Sequence, residues 1–119
     1  MFDLTELDAE IKQLKAETLS DYGKRIEIAI EMLRKKEQMI DRERKIASKI
    51  KIKLQNSSFL KRKTFKELLE RVDKKIITLQ GEIDRLKALK GKYIDEYKTQ
   101  REYLGLYDHE FVEKFFEKN

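Results

Sequence analysis

Apolar residues recur at every third or fourth position along most of this chain, which is the spacing of one face of an α-helix. Two long stretches of this pattern are separated by Asn56, Ser57 and Ser58, residue types that favour turns. The pattern therefore predicts two long helices joined by a tip loop. The helices and the loop are expected over residues 21–55, 64–104 and 56–63, respectively.

Shorter amphipathic segments flank the two long patterns and predict an N-terminal helix over 1–20 and a C-terminal helix over 107–119. The apolar spacing of the N-terminal segment is interrupted over 18–23, where residues occur that favour helix caps and helix ends. We therefore expect a kink or short break there, so that the first long helix begins near residue 21. The whole chain is predicted to form one helical domain over 1–119.

The second long helix carries signals at both of its predicted ends. Thr64 is followed three positions later by Glu67, the spacing of a capping box at a helix N-terminus. Gly105 follows the last apolar position, where a helix favours a C′ glycine. These residues predict a helix that begins at 64 and ends just before 105.

Two segments of the first long pattern, 25–32 and 49–54, alternate apolar and polar residues with period two, which is typical of a β-strand. The helical spacing nevertheless continues through both segments, and no tight hairpin signal adjoins them. We therefore predict that both segments are helical.

The two long patterns match each other when the chain is folded about the loop so that paired positions sum to 119. This agreement is typical of an antiparallel coiled coil, in which each apolar layer draws residues from both helices. Lys36 and Glu43 interrupt the seam and are interpreted as snorkelling or register-setting residues. The predicted pairs are Leu54 with Phe65, Ile50 with Leu69, Ala47 with Val72, Ile40 with Leu79, Leu33 with Leu86 and Ile26 with Tyr93.

Aromatic residues are concentrated near the C-terminus, and a two-helix hairpin alone cannot bury them all. The N-terminal apolar pattern also needs something to pack against. We therefore predict an all-α fold: a long antiparallel coiled-coil helical hairpin with short N- and C-terminal helices packed at its base. The C-terminal aromatics are either part of that core or a docking surface made of Phe111, Phe115 and Phe116.

Basic residues are concentrated around the loop, although the net charge of the chain is only +5. The window 44–66, which we call the basic tip, contains nine basic residues and no acidic residue, whereas the rest of the chain has 19 basic and 23 acidic residues. The basic tip either contacts a polyanion (nucleic acid, an acidic protein surface or anionic lipid) or serves as a charged, solvated end. A third alternative is self-association through the acidic end of the hairpin, which both termini form. Phe59 either stacks on a ligand or caps the core. The nine residues are Arg44, Lys45, Lys49, Lys51, Lys53, Lys61, Arg62, Lys63 and Lys66.

A further set of apolar residues lies off the seam of the first long helix. Met32, Met39 and Ile46 are seven positions apart, so that they extend the apolar seam sideways. An elongated chain of this size buries little surface per residue. Both facts favour a homodimer or a partner protein helix along this side.

Residue types that carry chemistry are scarce. There is no cysteine and one histidine, and no phosphate-binding glycine loop occurs, so we expect no enzyme activity, metal, cofactor or small-molecule substrate. No apolar run reaches the ~20 residues of a membrane span, and no signal peptide is evident. We expect a cytoplasmic, intracellular protein.

Two functional hypotheses remain. The first is a non-enzymatic protein–protein interaction module, such as an adaptor, inhibitor or assembly factor, that acts through helical surfaces. The alternative is a nucleic-acid-associated protein whose basic tip binds phosphates.

Overall fold

The computed structural model describes residues 4–117, and every regular element in that range is helical. Helix α1 is joined by a short turn to helix α2, and a C-terminal segment made of a short helix α3 and a π-helical turn follows. The predicted all-α helical hairpin is confirmed. The bounds are Leu4–Gln55 for α1, Phe59–Tyr103 for α2, Glu110–Val112 for α3 and Glu113–Glu117 for the π-helical turn.

Helix α1 continues without interruption through 18–23, so the predicted break and the separate N-terminal helix over 1–20 are wrong. Gly23 has no positive φ, and the Thr18 hydroxyl donates to the carbonyl of Leu14 at 3.0 Å, within the helix. A central glycine costs a helix only about 1 kcal/mol, which a long helix tolerates. Residues 1–3, where the predicted N-terminal helix begins, lie outside the described residues.

Both segments with period-two alternation, 25–32 and 49–54, lie inside α1. Their prediction as helix is confirmed. The longer-range spacing of three and four residues was the decisive signal, because it continues on either side of each segment.

The turn between the helices is shorter than the predicted tip loop over 56–63. Helix α2 begins at Phe59, and the Ser58 carbonyl accepts the N–H groups of Lys61 and Arg62 at 3.1 and 3.2 Å. Thr64 therefore lies inside α2, and its predicted capping box is wrong. Ser58 occupies the position before the helix, where serine is a favoured residue, so the helix can begin earlier.

Contacts within the chain define two compact units. One unit is Met32–Leu86, and the other comprises Met1–Glu31 with Lys87–Asn119. In Met32–Leu86, α1 and α2 pack through two buried clusters, which the partly buried Ile76 contacts. The clusters contain Leu33, Ile40, Leu79, Ile83 and Leu86 in one, and Ala47, Ile50 and Val72 in the other.

The composition of these clusters agrees with the predicted register. Leu33 shares a cluster with Leu86, and Ile40 shares the same cluster with Leu79. Lys36, which interrupts the seam, forms an ion pair with Glu82 across the two helices, with 2.6 Å between Nζ and Oε2. Both side chains are only partly exposed, so this pair favours one alignment of the helices over its neighbours.

The other unit has its own core, in which the C-terminal segment packs against α1 and α2. Val112 and Phe116 are buried in one cluster with Ile26 and Ile94. The ring of Phe116 meets the ring of Tyr97 edge to face, with centroids 5.9 Å apart and planes at 88°. The predicted packing of the C-terminal aromatics into a core is confirmed for Phe116, whereas the N-terminal part of α1 is not a separate packed helix.

Gly105 ends α2 as predicted. Its φ is +83°, a value that glycine adopts without the steric cost of a Cβ. The Gly105 N–H donates to the Glu102 carbonyl at 2.9 Å and the Leu106 N–H to the Arg101 carbonyl at 2.9 Å. This pair of bonds is the Schellman motif, which satisfies the last carbonyls of the helix and turns the chain back towards α2.

Polar contacts hold the C-terminal segment against the end of α2. His109 Nε2 lies 3.0 Å from Glu102 Oε1, and Lys98 Nζ donates to Glu117 Oε1 at 2.6 Å. The hydrogen bond from Lys98 to Glu117 raises the pKa of the Lys98 amine above its ordinary value, and burial partly offsets this rise. Because the pKa is raised by folding, the contact stabilises the folded state at neutral pH and is lost as Lys98 deprotonates in strong alkali.

The predicted C-terminal helix over 107–119 is shorter in the structure, because regular structure begins at Glu110. The Asp108 carboxylate accepts the N–H of Glu110 at 3.0 Å, which supports the start of α3. The last two residues of the prediction, 118–119, lie outside the described residues.

Candidate interaction surfaces

The off-seam apolar residues of α1 form an exposed column in the unit Met32–Leu86. Met32, Met39 and Ile46 retain 47%, 43% and 42% of their accessible surface, respectively. Each one precedes a buried seam residue, and one position corresponds to about 100° around a helix. These three residues, which we call the Met column, therefore lie beside the seam, where a further helix could pack.

A shallow groove borders the Met column at Met39, and its walls come from both helices. Leu79 contributes apolar surface to the groove, and the Lys36–Glu82 ion pair lies within it. A partner side chain that enters here would meet an apolar surface with a charged rim. The remaining lining residues are Glu43, Lys74, Lys75 and Thr78.

A second column runs parallel to the Met column and is entirely basic. Lys35, Arg42 and Lys49 are exposed and seven positions apart, and each follows a member of the Met column by three positions. Of these, only Lys49 belongs to the predicted anion-binding residues, so the column as a unit was not predicted. The signal for it in the sequence is the seven-residue spacing of Lys35, Arg42 and Lys49.

The N-terminal part of α1, in the other unit, also exposes apolar residues. Leu7, Ile11 and Leu14 retain 38%, 40% and 62% of their accessible surface. Two exposed carboxylates, Glu10 and Glu17, lie beside them. We call Leu7 and Leu14 the Leu column. A carboxylate lies three positions after each of its members, whereas a cation lies three positions after each member of the Met column.

All nine residues of the predicted anion-binding set are exposed in the structure. Five of them, from Arg44 to Lys53, lie on the last turns of α1, and the other four, from Lys61 to Lys66, lie on the first turns of α2. The structure thus places the whole set in the unit Met32–Leu86. The window 44–66 itself contains no acidic residue, and Glu67 is the first carboxylate that follows it on α2.

Phe59 and Leu60 are the most exposed large apolar residues of the described part of the chain, at 88% each. The interpretation of Phe59 as a cap over the core is therefore wrong, because α2 begins at Phe59 and directs it away from the seam. The pair lines a shallow depression together with three cations and two carboxylates, Arg62, Lys63, Lys66, Glu67 and Glu70. An exposed aromatic among cations is a suitable surface for a base or another flat, anionic ligand.

The three C-terminal phenylalanines predicted as a partner surface are divided by the structure. Phe116 is buried in the core described above and is not available to a partner. Phe111 and Phe115 remain about half exposed, and their rings lie 4.5 Å apart at a tilt of 36°. Only Phe111 and Phe115 therefore remain candidates for this surface.

Histidine, aspartate and glutamate are the residue types of this chain that could bind a metal ion. His109 contacts Glu102, and no group of three or more His, Asp or Glu side chains in the described range, 4–117, is arranged to hold a metal ion. Within the same residues no helix is both long enough and apolar enough to cross a membrane. Comparison with known proteins gives no family model, no curated protein and no solved structure that matches this chain.

Proposed function

We propose that this chain is a non-enzymatic protein–protein interaction module, an adaptor, inhibitor or assembly factor, that acts through exposed helical surfaces. The observation that carries this proposal is the Met column, three apolar side chains at seven-residue spacing that folding leaves almost half exposed. This spacing matches the knobs that a partner helix accepts in coiled-coil packing. The lack of cysteine supports an intracellular location as part of the same proposal.

The energetic reason for a partner is the apolar surface that remains in contact with water. Complete burial of a Met or Ile side chain is worth about 1.5–3 kcal/mol, and these three are only about half buried by folding. A partner helix that covered all three would thus gain a few kcal/mol, enough to select a binding orientation. The flexible thioethers of Met32 and Met39 also adapt to a partner surface more readily than branched side chains do.

A glutamate at position 39 tests this proposal. We expect Met39→Glu to remain folded and to lose the protein partner that the wild-type chain retains when it is purified from its native host after nuclease treatment. The matched control is Ile77→Glu on α2, because Ile77 is more exposed than Met39 and is not among the residues that line the groove. Equal retention of the partner by both variants, with circular dichroism unchanged, would contradict the proposed surface.

A second function, nucleic-acid association, is supported by the exposure of all nine basic residues of the basic tip together with that of Phe59. Exposed Lys and Arg side chains neutralise phosphates and release counterions, and an aromatic ring stacks on bases. In this function the basic tip would bind the phosphates of single-stranded or duplex nucleic acid with little sequence preference.

Reversing the charge of Lys61, Arg62 and Lys63 tests the nucleic-acid function. The plot of log affinity against log salt should become shallower by about 2–3, because each lost phosphate contact removes about 0.7–0.9 from the slope. The matched control reverses Lys15, Lys24 and Lys87, which are exposed and lie outside the basic tip. Absence of RNA or DNA binding by the wild-type chain at low salt, or an equal effect of the control, rules this function out.

A further inference from the structure

Each of the two exposed apolar columns of α1 has charged residues three positions after its members, and the sign of the charge differs between the two columns. In the Met column, Met39 and Ile46 are followed three positions later by Arg42 and Lys49. In the Leu column, Leu7 and Leu14 are followed three positions later by carboxylates. These carboxylates are Glu10 and Glu17.

An identical offset has a definite consequence when two helices pack antiparallel. Residues displaced to the same side of the contact line in each helix then face one another, as do the matching flanking positions of antiparallel coiled coils. Packing the Leu column on the Met column would therefore bring the acidic residues of one helix opposite the basic residues of the other. The charges and the apolar residues favour the same orientation.

The register of such a contact follows from the spacing of seven. Leu14 would lie opposite Met39 and Leu7 opposite Ile46, since both pairs of numbers sum to 53. In the same alignment the charged pairs both sum to 52. They are Glu17 with Lys35 and Glu10 with Arg42.

Contact between two Met columns is disfavoured by the same rule. In an antiparallel arrangement Lys35 of one helix would lie beside Arg42 of the other, and the like charges would repel. The basic column therefore requires an acidic apolar surface rather than a copy of itself. The Leu column is such a surface and is present on every copy of this chain.

We infer that a second copy of this chain is a partner of the Met column: the Leu column of one copy packs antiparallel on the Met column of another. This inference rests on the proposed function and gives its interaction surface a specific occupant. The contact joins two different surfaces, so its closure into a dimer requires that each copy both donates its Leu column and accepts the other's.

Disulfide formation between single-cysteine variants tests the register, because the natural chain contains no cysteine. A mixture of Leu14→Cys and Met39→Cys full-length chains, one of them enlarged by a tag, should form a mixed disulfide under mild oxidation. Each variant alone should form far less. A disulfide requires Cα atoms within about 7 Å, so it reports this register and not a general association.

The matched control is a mixture of Ala16→Cys and Asp41→Cys, each two positions farther along the chain and about 200° farther around α1. Both positions are exposed, so their thiols are equally accessible. The inference is overturned if the control cross-links as well as the mixture at 14 and 39. It is also overturned if Met39→Cys alone cross-links as efficiently as the mixture, since two Met columns would then be in contact.

An exchange of charges gives a second, independent readout by sedimentation. Lys35→Glu with Arg42→Glu should weaken self-association about ten-fold or more, as should Glu10→Lys with Glu17→Lys, because several ion pairs become repulsive. The chain with all four substitutions should recover near wild-type association. Failure of this recovery, with helicity intact by circular dichroism, contradicts the pairing.

The oligomeric state of the chain, together with the effect of Met39→Glu on partner binding, distinguishes a failure of this inference from a failure of the proposed function. A chain that is monomeric at every concentration, yet whose Met39→Glu variant loses another protein from the host, overturns the second-copy partner and retains the interaction module. If neither self-association nor binding to another protein depends on Met39, both conclusions fail.

Discussion

Replacing Phe116 with alanine is expected to lower the free energy of unfolding by about 3–5 kcal/mol, the range observed when a buried aromatic ring is removed. Phe116 is buried with Ile26, Ile94 and Val112, and its ring contacts Tyr97 edge to face. The side chains of Ile26, Ile94 and Val112, which would line the remaining cavity, offer no hydrogen bond to a water molecule. We therefore expect the C-terminal segment to separate from α1 and α2 at a lower denaturant concentration.

Phe115 provides a control in the next position of the chain. It retains more than half of its accessible surface, so Phe115→Ala should change the free energy of unfolding by much less, about 1 kcal/mol or below. Urea unfolding, with tyrosine fluorescence as the probe, measures both variants. Equal losses at the two positions would contradict the packing described for the C-terminal segment.

Replacing Ile40 with alanine is expected to destabilise the unit Met32–Leu86 by about 2–4 kcal/mol. Ile40 is buried in the cluster that contains Leu33, Leu79, Ile83 and Leu86. This cluster joins α1 to α2, so its loss weakens the contact between the helices and not only the local structure of one of them.

Met39, the residue before Ile40, shows whether the loss of stability depends on the burial of the side chain that is removed. Met39→Ala removes a side chain of similar size that is almost half exposed, and it should cost about half as much as Ile40→Ala or less. Thermal unfolding followed at 222 nm compares the two. A larger loss for Met39 than for Ile40 would mean that the predicted register is displaced and that the Met column is buried.

The register of the two helices could be predicted from sequence because layers of apolar residues recur at matching distances from the turn. Ile40 and Leu79 lie in one cluster, and Ala47 and Val72 in another, as the sum of 119 requires. Lys36 interrupts the apolar pattern without changing it, since its amine pairs with Glu82 on the other helix. Periodicity alone carries this information.

Helix ends were predicted less well, because local propensities are small beside the stability of a long helix. Gly23 resembles a breaker, yet α1 continues through it, and Thr64 resembles a cap, yet α2 begins at Phe59. A cap or a glycine contributes about 1 kcal/mol, which the packing of several turns exceeds. The end of α2 at Gly105 was predicted correctly because a glycine and the end of the apolar pattern coincide there, and the positive φ of Gly105 agrees with this prediction.

The sequence predicted the candidate surfaces only in part. The exposure of Met39 follows from its position beside the seam, and the exposure of the basic tip follows from its charge. The division between Phe115 and Phe116 could not be predicted, because the π-helical turn changes which side chain faces the core. The sequence left two roles open for Phe59, because a residue in the turn could have covered the seam. In the structure Phe59 is the first residue of α2 and does not cover the seam.

Site-specific cross-linking at position 39 tests the central claim most directly, because it reports contact with the Met column inside the native cell. A photoreactive amino acid at position 39 should cross-link the chain to a protein, whether a second copy or another partner. The same group at position 41, about 200° around the helix, should give much less product. No protein adduct at 39, or equal adducts at 39 and 41, would contradict the claim that this column is the surface through which the protein acts.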